Sequence, residues 1–406
     1  MLSWKHSRKI LLCISGGIAA YKIPDLVSQL IKRDCEVEII MTQAAETLVS
    51  PLALSTLSGR RVWLQEHFLA SSRGFEIPHI HLADWAEAVI VAPCSANTAF
   101  GIAQGRAGSI LEAALLAVPK TTPVVLFPAM NVHMFEHPAT QQNLRILAKR
   151  GVRVVDPEFG TLACGYEGKG RLPGTDLILE EIAYALSPCQ DMKGKHILVT
   201  AGPTHEYLDP VRFISNPSSG KMGFAMARTA WYRGAEVRVI LGPIAPPVIT
   251  HGLELHRVVS ALDMRDAVLE NLEWADCIVK AAAVGDYRVE QKAEQKIKRG
   301  EKNELVLSLV QNPDIAAEVG GRKRKDQLLV GFAAETHDLE KNARSKMERK
   351  GLDVMLANDV SSPDSGFGVE TNTVRMISRE GEVSISGSKE EVADAVWENL
   401  SSKGML

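Results

Sequence analysis

Residues suited to binding an anion are concentrated in one loop, within residues 199–227. The polar residues of this loop include Asn216, Ser218, Ser219 and Lys221, and the two serines directly precede a helical pattern. Either serine is predicted to cap that helix, and the free backbone N–H groups at a helix start attract anions. Lys221 would add a positive charge for a phosphate group. An ordinary strand-to-helix loop is the alternative interpretation of the same residues.

A βαβ unit is predicted to position this loop. An apolar strand at residues 197–200 precedes the loop, a helix at 222–230 follows it, and a second strand occupies residues 236–241. Alternating strands and helices of this kind predict a parallel sheet with helices on both faces. The loop then lies at the carboxyl end of a buried strand, where such folds bind their ligands.

The N-terminal half begins with another βαβ pattern. A strand at residues 10–14 leads through Gly16 and Gly17 into a helix at 18–31, and a strand at 36–41 follows. These glycines do not form G-x-G-x-x-G, so the usual dinucleotide fingerprint is absent. A small phosphorylated cofactor at the strand ends remains compatible with the pattern. Two such starts in one chain predict two doubly wound α/β domains.

Three more buried strands are predicted in the N-terminal half, at residues 88–92, 124–127 and 152–155. The first is followed by Pro93-Cys94-Ser95-Ala96-Asn97-Thr98, and the second by Pro128-Ala129-Met130-Asn131. Hydroxyl and amide groups are therefore expected at neighbouring strand ends of one parallel sheet.

The composition excludes several classes of protein. The chain has 406 residues, of which 46% are hydrophobic and 23% charged, as in a globular protein of two or three domains. A net charge of −3 argues against nucleic acid as the main partner. The six cysteines lack metal-ligand spacing, which favours a reducing compartment. The apolar run at residues 10–14 is too short for a signal peptide, and no stretch could span a bilayer. We therefore expect a cytoplasmic protein without a membrane partner.

The motifs of the first half resemble those of a known enzyme family. SGGIAAYK, APCSANT, PAMN and ACG are similar to the motifs of FMN-dependent cysteine decarboxylases, in particular phosphopantothenoylcysteine decarboxylase. The resemblance implies a flavodoxin-like flavoprotein domain with bound FMN. The residues that match the flavin contacts of the family are Ser15, Gly17, Thr42, Ser95 and Asn97.

Three residues match the catalytic positions of that family. His79 matches its active-site histidine, Asn131 the asparagine that holds the substrate, and Cys164 the acid on a mobile lid, here at about residues 160–173. The neighbouring His81 leaves open which histidine has a structural role. Flavin can oxidise the substrate thiol to a thioaldehyde, which accepts the electrons left by loss of CO2. Cys164 can deliver the proton that the product needs.

The second half resembles phosphopantothenate–cysteine ligase. Its loop at 199–227 and the motifs AAAVGDY, KIKR, NPDI, GFAAET and LANDV follow in the order and spacing of that family. The resemblance implies a Rossmann-like ligase domain that binds CTP, with Mg2+ at the phosphates. The matching CTP-binding residues are Ala281, Ala282, Asp286, Lys296, Pro313, Asp314, Ile315, Phe332, Lys346 and Lys350.

The implied ligation makes an amide from an unreactive carboxylate. The carboxylate of 4′-phosphopantothenate attacks the α-phosphate of CTP and releases pyrophosphate; the amine of cysteine then attacks the acyl-cytidylate and releases CMP. Lys296 would stabilise the activation step electrostatically, and Asn216 would hold the acyl-cytidylate for the amine.

Together the halves resemble the bifunctional coenzyme A biosynthesis family of bacteria. This implies a decarboxylase domain at residues 1–190, a ligase domain at 191–406 and a homo-oligomer, in which trimers and dimers combine into a dodecamer. Three positions depart from the family pattern. His81 and Gly108-Ser109 replace an acidic residue and Asp-Asn, and Gly285 replaces the alanine of AVAD.

Two other functions compete with this interpretation. A flavin-binding regulatory protein without turnover could share the first half, although Asn131, Cys164 and a complete second half argue against it. An NAD-dependent oxidoreductase is disfavoured by the missing G-x-G-x-x-G. Within the ligase interpretation, the basic helix that contains Lys346 and Lys350 could be a triphosphate clamp or only a solvated face.

Overall fold

The structure is a computed structural model that describes residues 7–68, 77–163, 165–187, 189–245, 250–298, 305–335, 339–359 and 369–406. The chain divides into two compact units, residues 3–187 and residues 188–406. Each unit contains its own, mainly parallel sheet flanked by helices. The predicted fold class of two doubly wound α/β domains is confirmed. No helix in the described ranges is both long enough and apolar enough to cross a membrane.

The N-terminal unit contains a parallel sheet and a separate antiparallel hairpin. Its strands are β1 (Lys9–Ile14), β2 (Glu36–Met41), β3 (Val62–Trp63), β4 (Ala88–Cys94), β5 (Val124–Pro128), β6 (Arg153–Val154), β7 (Glu158–Thr161) and β8 (Glu167–Arg171). Its α-helices are α1 (Ile23–Ile31), α2 (Gln43–Glu46), α3 (Pro51–Ser58), α4 (Pro78–Trp85), α5 (Ala96–Ala103), α6 (Ile110–Ala117), α7 (Val132–Glu136), α8 (Pro138–Lys149) and α9 (Thr175–Ala185). The sheet order is β3–β2–β1–β4–β5–β6, and β7 pairs with β8.

The central strands of this sheet are buried on both faces. One face packs against α1 and α9, and the other against α5, α6 and α8, which explains why β1 and β4 are continuous apolar runs. The single helix predicted at 18–31 is wrong at its start. Residues Ile18–Lys22 form a 3₁₀ turn before α1 begins, and Pro24, which lacks an N–H, lies in the first turn of α1, where no donor is needed.

The C-terminal unit contains a larger mixed sheet and two short hairpins. Its strands are β9 (His196–Ala201), β10 (His205–Tyr207), β11 (Phe213–Ser215), β12 (Glu236–Leu241), β13 (Leu253–Arg257), β14 (Cys277–Lys280), β15 (Tyr287–Val289), β16 (Leu309–Gln311), β17 (Leu328–Glu335), β18 (Val354–Asp359), β19 (Thr371–Ser378) and β20 (Gly381–Ser388). Its helices are α10 (Lys221–Tyr232), α11 (Ala261–Glu270), α12 (Ile315–Arg322), α13 (Leu339–Lys350) and α14 (Lys389–Ser402). The main sheet has the order β13–β12–β9–β14–β17–β18–β19–β20.

β19 pairs antiparallel with both β18 and β20, so it alone runs against the other described strands of that sheet. Helices α11, α12 and α13 cover one face through a core that includes Ile278, Leu329 and Met355. On the other face, the buried indole N–H of Trp397 in α14 donates to the carbonyl of Met226 and to the hydroxyl of Thr229 in α10. The sheet is therefore closed on both faces, and its strand ends are left to form a site.

The anion-binding loop differs from its prediction in two ways. It contains a small antiparallel pair, β10 and β11, rather than only irregular chain. The predicted cap by Ser218 or Ser219 is wrong, because Gly220 is the N-cap of α10 with a φ of +72° and no side-chain cap bond. A Cβ at Gly220 would lie 2.4 Å from Cδ1 of Ile244, so the close approach of the chain requires glycine there.

Candidate functional site

A cavity of about 530 Å³ in the C-terminal unit is lined by residues at the carboxyl ends of β14 and β17 and by the loop after β9. Strand order reverses between β9 and β14, so the cavity lies at the switch point where open parallel sheets bind ligands. Its walls include most of the ligase residues expected from the sequence, namely Asn216, Ala281, Ala282, Asp286, Pro313, Asp314, Ile315, Phe332, Lys346 and Lys350. A volume of this order fits a nucleotide-sized ligand.

Segment 281–286 is held in the cavity wall by the strand and loop beside it. The backbone N–H of Ala282 donates to the hydroxyl of Thr200 at 3.2 Å. The N–H of Gly285 donates to the hydroxyl of Thr204 at 2.9 Å. The carbonyl of Gly285 accepts from Nδ2 of Asn312 at 2.8 Å. These bonds fix the small residues of the segment as a smooth wall.

The side chain of Asn216 attaches the loop after β9 to this wall. Its Nδ2 donates to the carbonyl oxygens of Ala283 at 3.3 Å and Val284 at 3.1 Å. Both amide hydrogens are thereby directed at the backbone. The side-chain oxygen remains the acceptor that such an amide can offer to a ligand amine.

Asp314 and Lys350 form an ion pair at the far side of the cavity, with 3.0 Å between Nζ and Oδ2. Asp314 also caps α12, because its Oδ1 accepts from the N–H of Ala317. Burial acts to raise the pKa of Asp314, but the hydrogen bonds from Lys350 and from backbone N–H groups lower it overall. The carboxylate is therefore a fixed negative charge, and it neutralises Lys350.

Lys296 is the one predicted ligase residue that the structure does not bring into this cavity wall. Its side chain is exposed. Its segment is attached to the anion-binding loop, because buried Asp209 accepts from the N–H of Ile297 at 3.0 Å and Arg212 donates to the carbonyl of Ile297 at 2.8 Å. The hydrogen bond from Arg212 holds the pKa of Asp209 well below its usual range. This link positions the chain on either side of Lys296.

Two cavity residues were missed as site residues from the sequence, Lys280 and Asn358. Nζ of Lys280 and Oδ1 of Asn358 are buried, and neither has a hydrogen-bond partner among the residues that the structure describes. Burial lowers the pKa of Lys280 to about 7, with Asp314 acting to raise it and Lys350 to lower it. The available signal was a lysine at the buried end of an apolar strand, in CIVK.

The predicted flavin contacts lie at the strand ends of the N-terminal sheet. Gly17 follows β1, Thr42 follows β2, and Ser95 and Asn97 follow β4. Strands β2, β1 and β4 are adjacent, and the strand order reverses between β1 and β4. Thr42 and Ser95 cap α2 and α5 with their hydroxyl oxygens. The structure thus brings the four residues to one edge of the sheet.

Ser15 lies at the same edge, but its hydroxyl is used within the protein. This fully buried group donates to the carbonyl of Pro93 at 2.8 Å and accepts from the N–H of Ser95 at 2.8 Å. It therefore ties the end of β1 to the end of β4. Ser15 can position a flavin contact at Ser95 rather than offer its own hydroxyl as a donor.

His79 has an unsatisfied buried atom. It lies in the first turn of α4, in edge-to-face contact with Phe68 at 5.3 Å between ring centres. Nδ1 has no hydrogen-bond partner within the described ranges. Burial lowers the pKa of His79, so the ring stays neutral near pH 7. A neutral imidazole can accept or donate a proton there.

Asn131 lies under the β7–β8 hairpin. Its Oδ1 caps α7 by accepting from the N–H of His133 at 2.9 Å. The backbone N–H of Met130 donates to the carbonyl of Gly170 at 3.0 Å, and the rings of His133 and Tyr166 meet at 5.2 Å. The lid predicted at residues 160–173 therefore includes an ordered hairpin that rests on the segment bearing Asn131. Cys164 lies outside the described residues.

No group of three or more His, Cys, Asp or Glu side chains in the described part of the chain is arranged to hold a metal ion. The C-terminal unit thus offers a nucleotide-sized cavity with several lysines, and the N-terminal unit offers polar strand-end residues, the buried ring nitrogen of His79, and Asn131.

Comparisons with known proteins give one family model for each half of the chain. The flavoprotein family model matches residues 3–187, and the model of the DNA/pantothenate metabolism flavoprotein C-terminal domain matches residues 192–403. The chain is 43% identical to the coenzyme A biosynthesis bifunctional protein CoaBC of Bacillus subtilis, over 93% of this chain and 92% of that protein.

Relatives of the same name from two other bacteria are also similar over nearly their whole length. The Escherichia coli K12 protein is 41% identical, over 92% of each chain. The Haemophilus influenzae protein is 40% identical, over 98% of this chain and 97% of that protein. These matches confirm the resemblance found in the motifs, and the chain belongs to the family of bifunctional coenzyme A biosynthesis proteins.

Proposed function

We propose that the chain catalyses two successive steps of coenzyme A biosynthesis, with a separate site for each. The C-terminal unit joins cysteine to 4′-phosphopantothenate at the expense of CTP, and the N-terminal unit decarboxylates the product to 4′-phosphopantetheine. The predicted identity as a bifunctional decarboxylase and ligase is confirmed by the family. The observation that carries the nucleotide assignment is the gathering of the predicted residues around one cavity.

In the ligase unit, the cavity holds CTP so that the substrate carboxylate can reach the α-phosphate. A carboxylate oxygen bonds to that phosphorus and the bond to pyrophosphate breaks, which leaves the acyl-cytidylate. Lys296 neutralises charge on the phosphates, and Mg2+ bound with the nucleotide would supply further positive charge there. The link between Asp209 and Ile297 keeps the segment of Lys296 beside the loop.

The second half-reaction forms the amide. The amine of cysteine attacks the acyl carbon, loses a proton and displaces CMP. Asn216 is held against Ala283 and Val284, and we assign its Oδ1 to orienting the attacking amine against the acyl-cytidylate. The fixed wall at 281–286 limits how far the intermediate can move.

The N-terminal unit fits FMN by an observation of its own. Gly17, Thr42, Ser95 and Asn97 surround the reversal point of the sheet, and His79 has a buried ring nitrogen without a partner among the described residues. FMN supplies the two-electron chemistry when bound. Asn131 holds the carboxylate or amide of the substrate without adding negative charge, and His79 exchanges a proton at its unpaired nitrogen. Cys164 is proposed as the acid that protonates the product.

Three further predictions remain. A homo-oligomer, a dodecamer by resemblance, is expected, with small-molecule substrates and no nucleic acid or membrane partner. A cytoplasmic location is expected because the cysteines favour a reducing compartment, and the five that the structure describes form no disulfide. A flavin-binding regulatory protein without turnover remains the alternative, and the gathered nucleotide cavity favours the enzyme.

One reaction tests both activities. Purified protein is mixed with 4′-phosphopantothenate, cysteine, Mg2+ and CTP, and the products are identified by mass spectrometry, with CTP omitted as the control. We expect 4′-phosphopantetheine, CMP and pyrophosphate. Accumulation of 4′-phosphopantothenoylcysteine alone would contradict the decarboxylase assignment. Absence of any CTP-dependent product would overturn the ligase assignment.

A further inference from the structure

Lys280 is an unusual residue for the end of a buried strand. Only 9% of its surface is exposed, and its Nζ has no hydrogen-bond partner in the described part of the chain. Burying an ammonium group without a partner is costly, whereas methionine could fill the same space without that penalty. The placement of Lys280 in the cavity wall therefore suggests a function rather than a contribution to packing.

The surroundings of Lys280 are largely apolar. In the sheet it pairs with Thr200 on β9 and with Gly331 on β17, and Cδ1 of Leu352 would lie only 2.7 Å from a Cβ at Gly331. Ile315, Leu352 and Met355 line the same cavity and belong to the core on the α12 and α13 face. Such walls suit a flat ring with a few polar atoms at its edge better than a triphosphate.

Two charged groups act on Lys280, and they are paired with each other. Asp314 attracts its proton and Lys350 repels it, but Nζ of Lys350 lies 3.0 Å from Oδ2 of Asp314. Lys346, on the same helix as Lys350, also lines the cavity. Because Lys350 and Asp314 offset each other, Lys350 contributes little net positive charge for phosphates.

The part of the cavity wall at the start of α10 is better suited to phosphates, because it adds the hydroxyls of Ser218 and Ser219 and the backbone N–H groups of a helix start. Lys221 and Lys389 also line the cavity, and Nζ of Lys221 lies 2.5 Å from Oε1 of the exposed Glu370. Hydroxyls, lysines and the N–H groups at the start of a twelve-residue helix are typical phosphate ligands. A nucleotide bound with its phosphates at α10 would place its base towards Lys280.

We propose that Lys280 reads the base of the ligase nucleotide, by donating hydrogen bonds from Nζ to the ring-edge acceptors O2 and N3 of cytosine. The inference rests on the proposed binding of CTP in this cavity. An ammonium group has three donors and no acceptor. It therefore favours cytosine, whose N3 accepts, over uracil, whose N3 carries a hydrogen. Lys280 is thus assigned to specificity, and not to the chemical step.

The titration of Lys280 supports this geometry. Burial lowers its pKa to about 7, so the group is only partly protonated in the ligand-free cavity at neutral pH. Two acceptors of a bound base stabilise the ammonium form and raise the pKa again. Binding of CTP at pH 7.5 should therefore take up a fraction of a proton, measured by calorimetry in buffers of different ionisation enthalpy. Lys280→Met should abolish that uptake.

The central test compares Lys280→Met with Lys325→Met, an exposed lysine in the turn before β17. Ligation rates are measured with CTP and with UTP. We expect Lys280→Met to lower kcat/KM for CTP by roughly 10- to 100-fold, the value of hydrogen bonds from a charged donor. The loss with UTP should be smaller, so the preference for CTP shrinks. Lys325→Met should match the wild type.

Equilibrium binding distinguishes the base from the phosphates. Lys280→Met should weaken CTP and CMP by similar factors and leave inorganic triphosphate unchanged. An equal loss with triphosphate, or an unchanged preference for CTP over UTP, would overturn the proposal. Thermal melting should show Lys280→Met at least as stable as the wild type, so a loss of binding cannot come from unfolding.

Failure of the proposed function gives a different result. If the wild type neither binds CTP nor forms a ligation product with any nucleotide, both proposals are overturned. If the wild type ligates with CTP and Lys280→Met keeps the same preference, only the role of Lys280 is wrong.

Discussion

Both units place polar residues at the point where strand order reverses, but the two sets differ in whether their polar atoms have hydrogen-bond partners within the protein. At the N-terminal strand ends, the hydroxyls of Ser15, Thr42 and Ser95 are bonded to backbone N–H groups of the same unit. At the C-terminal strand ends, Lys280 and Asn358 keep buried atoms without partners among the described residues. A site whose cofactor performs the chemistry needs a rigid frame, whereas a site that reads a nucleotide needs free donors and acceptors.

His79 provides the strongest test of this comparison, because it is the exception in the N-terminal unit. We expect His79→Ala to lower decarboxylation by about 10²- to 10⁴-fold, the usual contribution of a general acid or base. Ligation in the same protein should stay at the wild-type rate, which is the internal control. Both products are measured by mass spectrometry.

The pH profile sharpens the same prediction. Because burial lowers the pKa of His79, the neutral ring persists to lower pH than in a free histidine. Decarboxylation should therefore lose activity only below about pH 6.5. A larger loss in His81→Gln than in His79→Ala would show that the two histidines have been assigned the wrong way round.

Asp209 tests whether the ligase site also depends on a rigid frame. Its carboxylate accepts from the N–H groups of Val211, Arg212 and Ile297. Asp209→Ala removes one of the two bonds to Ile297 and the carboxylate that orients Arg212, which makes the other. Misplacement of this kind can cost about 10²-fold in ligation. Decarboxylation of added 4′-phosphopantothenoylcysteine should not change.

The matched control for this variant is Asp266→Ala, which removes an exposed carboxylate in α11. Its ligation rate should stay within about twofold of the wild type, as for most surface substitutions. Equal losses in the two variants would contradict a special role for Asp209.

Gly170 tests the contact between the hairpin and the segment of Asn131. The φ angle of Gly170 is +153°, and a Cβ at this residue would lie 2.2 Å from the carbonyl oxygen of Met130. Gly170→Ala should displace the hairpin and lower decarboxylation by about 10-fold, less than the loss of a reacting group. Gly174→Ala is the control, since no described atom lies within 4 Å of its added Cβ. Equal rates for the two variants would show that the contact has no role.

The smallest expected effect concerns stability. Because the pKa of Lys280 is lowered to about 7 in the folded protein, the unfolded chain binds more protons between about pH 7 and 10.4. Stability therefore rises with pH in that window, by about 1 kcal/mol between pH 7 and pH 8. Lys280→Met should lose this increment, as measured by urea unfolding at both pH values. An unchanged increment would mean that Lys280 keeps its proton in the folded protein at both pH values.

The elements that the sequence predicts well are the buried strands. β2 and β12 were expected over the residues that form them, because apolar runs between turn signals have few alternative structures. The cap of α10 was predicted wrongly, since a local preference for serine ignores the close approach of Ile244 to Gly220. Tertiary contact decided that position.

The site residues show the same limit. Family motifs predicted the cavity walls around Asp314 and Lys350, but they did not reveal that these two residues pair with each other. Lys280 was read as the end of a strand, because its unpaired state depends on neighbours from β17, α12 and α13. The β7–β8 hairpin within the lid was not predicted from the sequence, because the glycines there permit both a flexible loop and a tightly packed hairpin.

The distribution of the cavity residues along the chain has a consequence for synthesis. The strand-end residues of the N-terminal site all lie within residues 3–187, which form a compact unit of their own. The nucleotide cavity, in contrast, is lined by residues from Asn216 to Lys389. On the ribosome, the first site can therefore assemble while the second is still being translated. A chain that ended anywhere between residue 187 and the start of α14 would retain the proposed residues of the flavin site but would lack a complete nucleotide cavity.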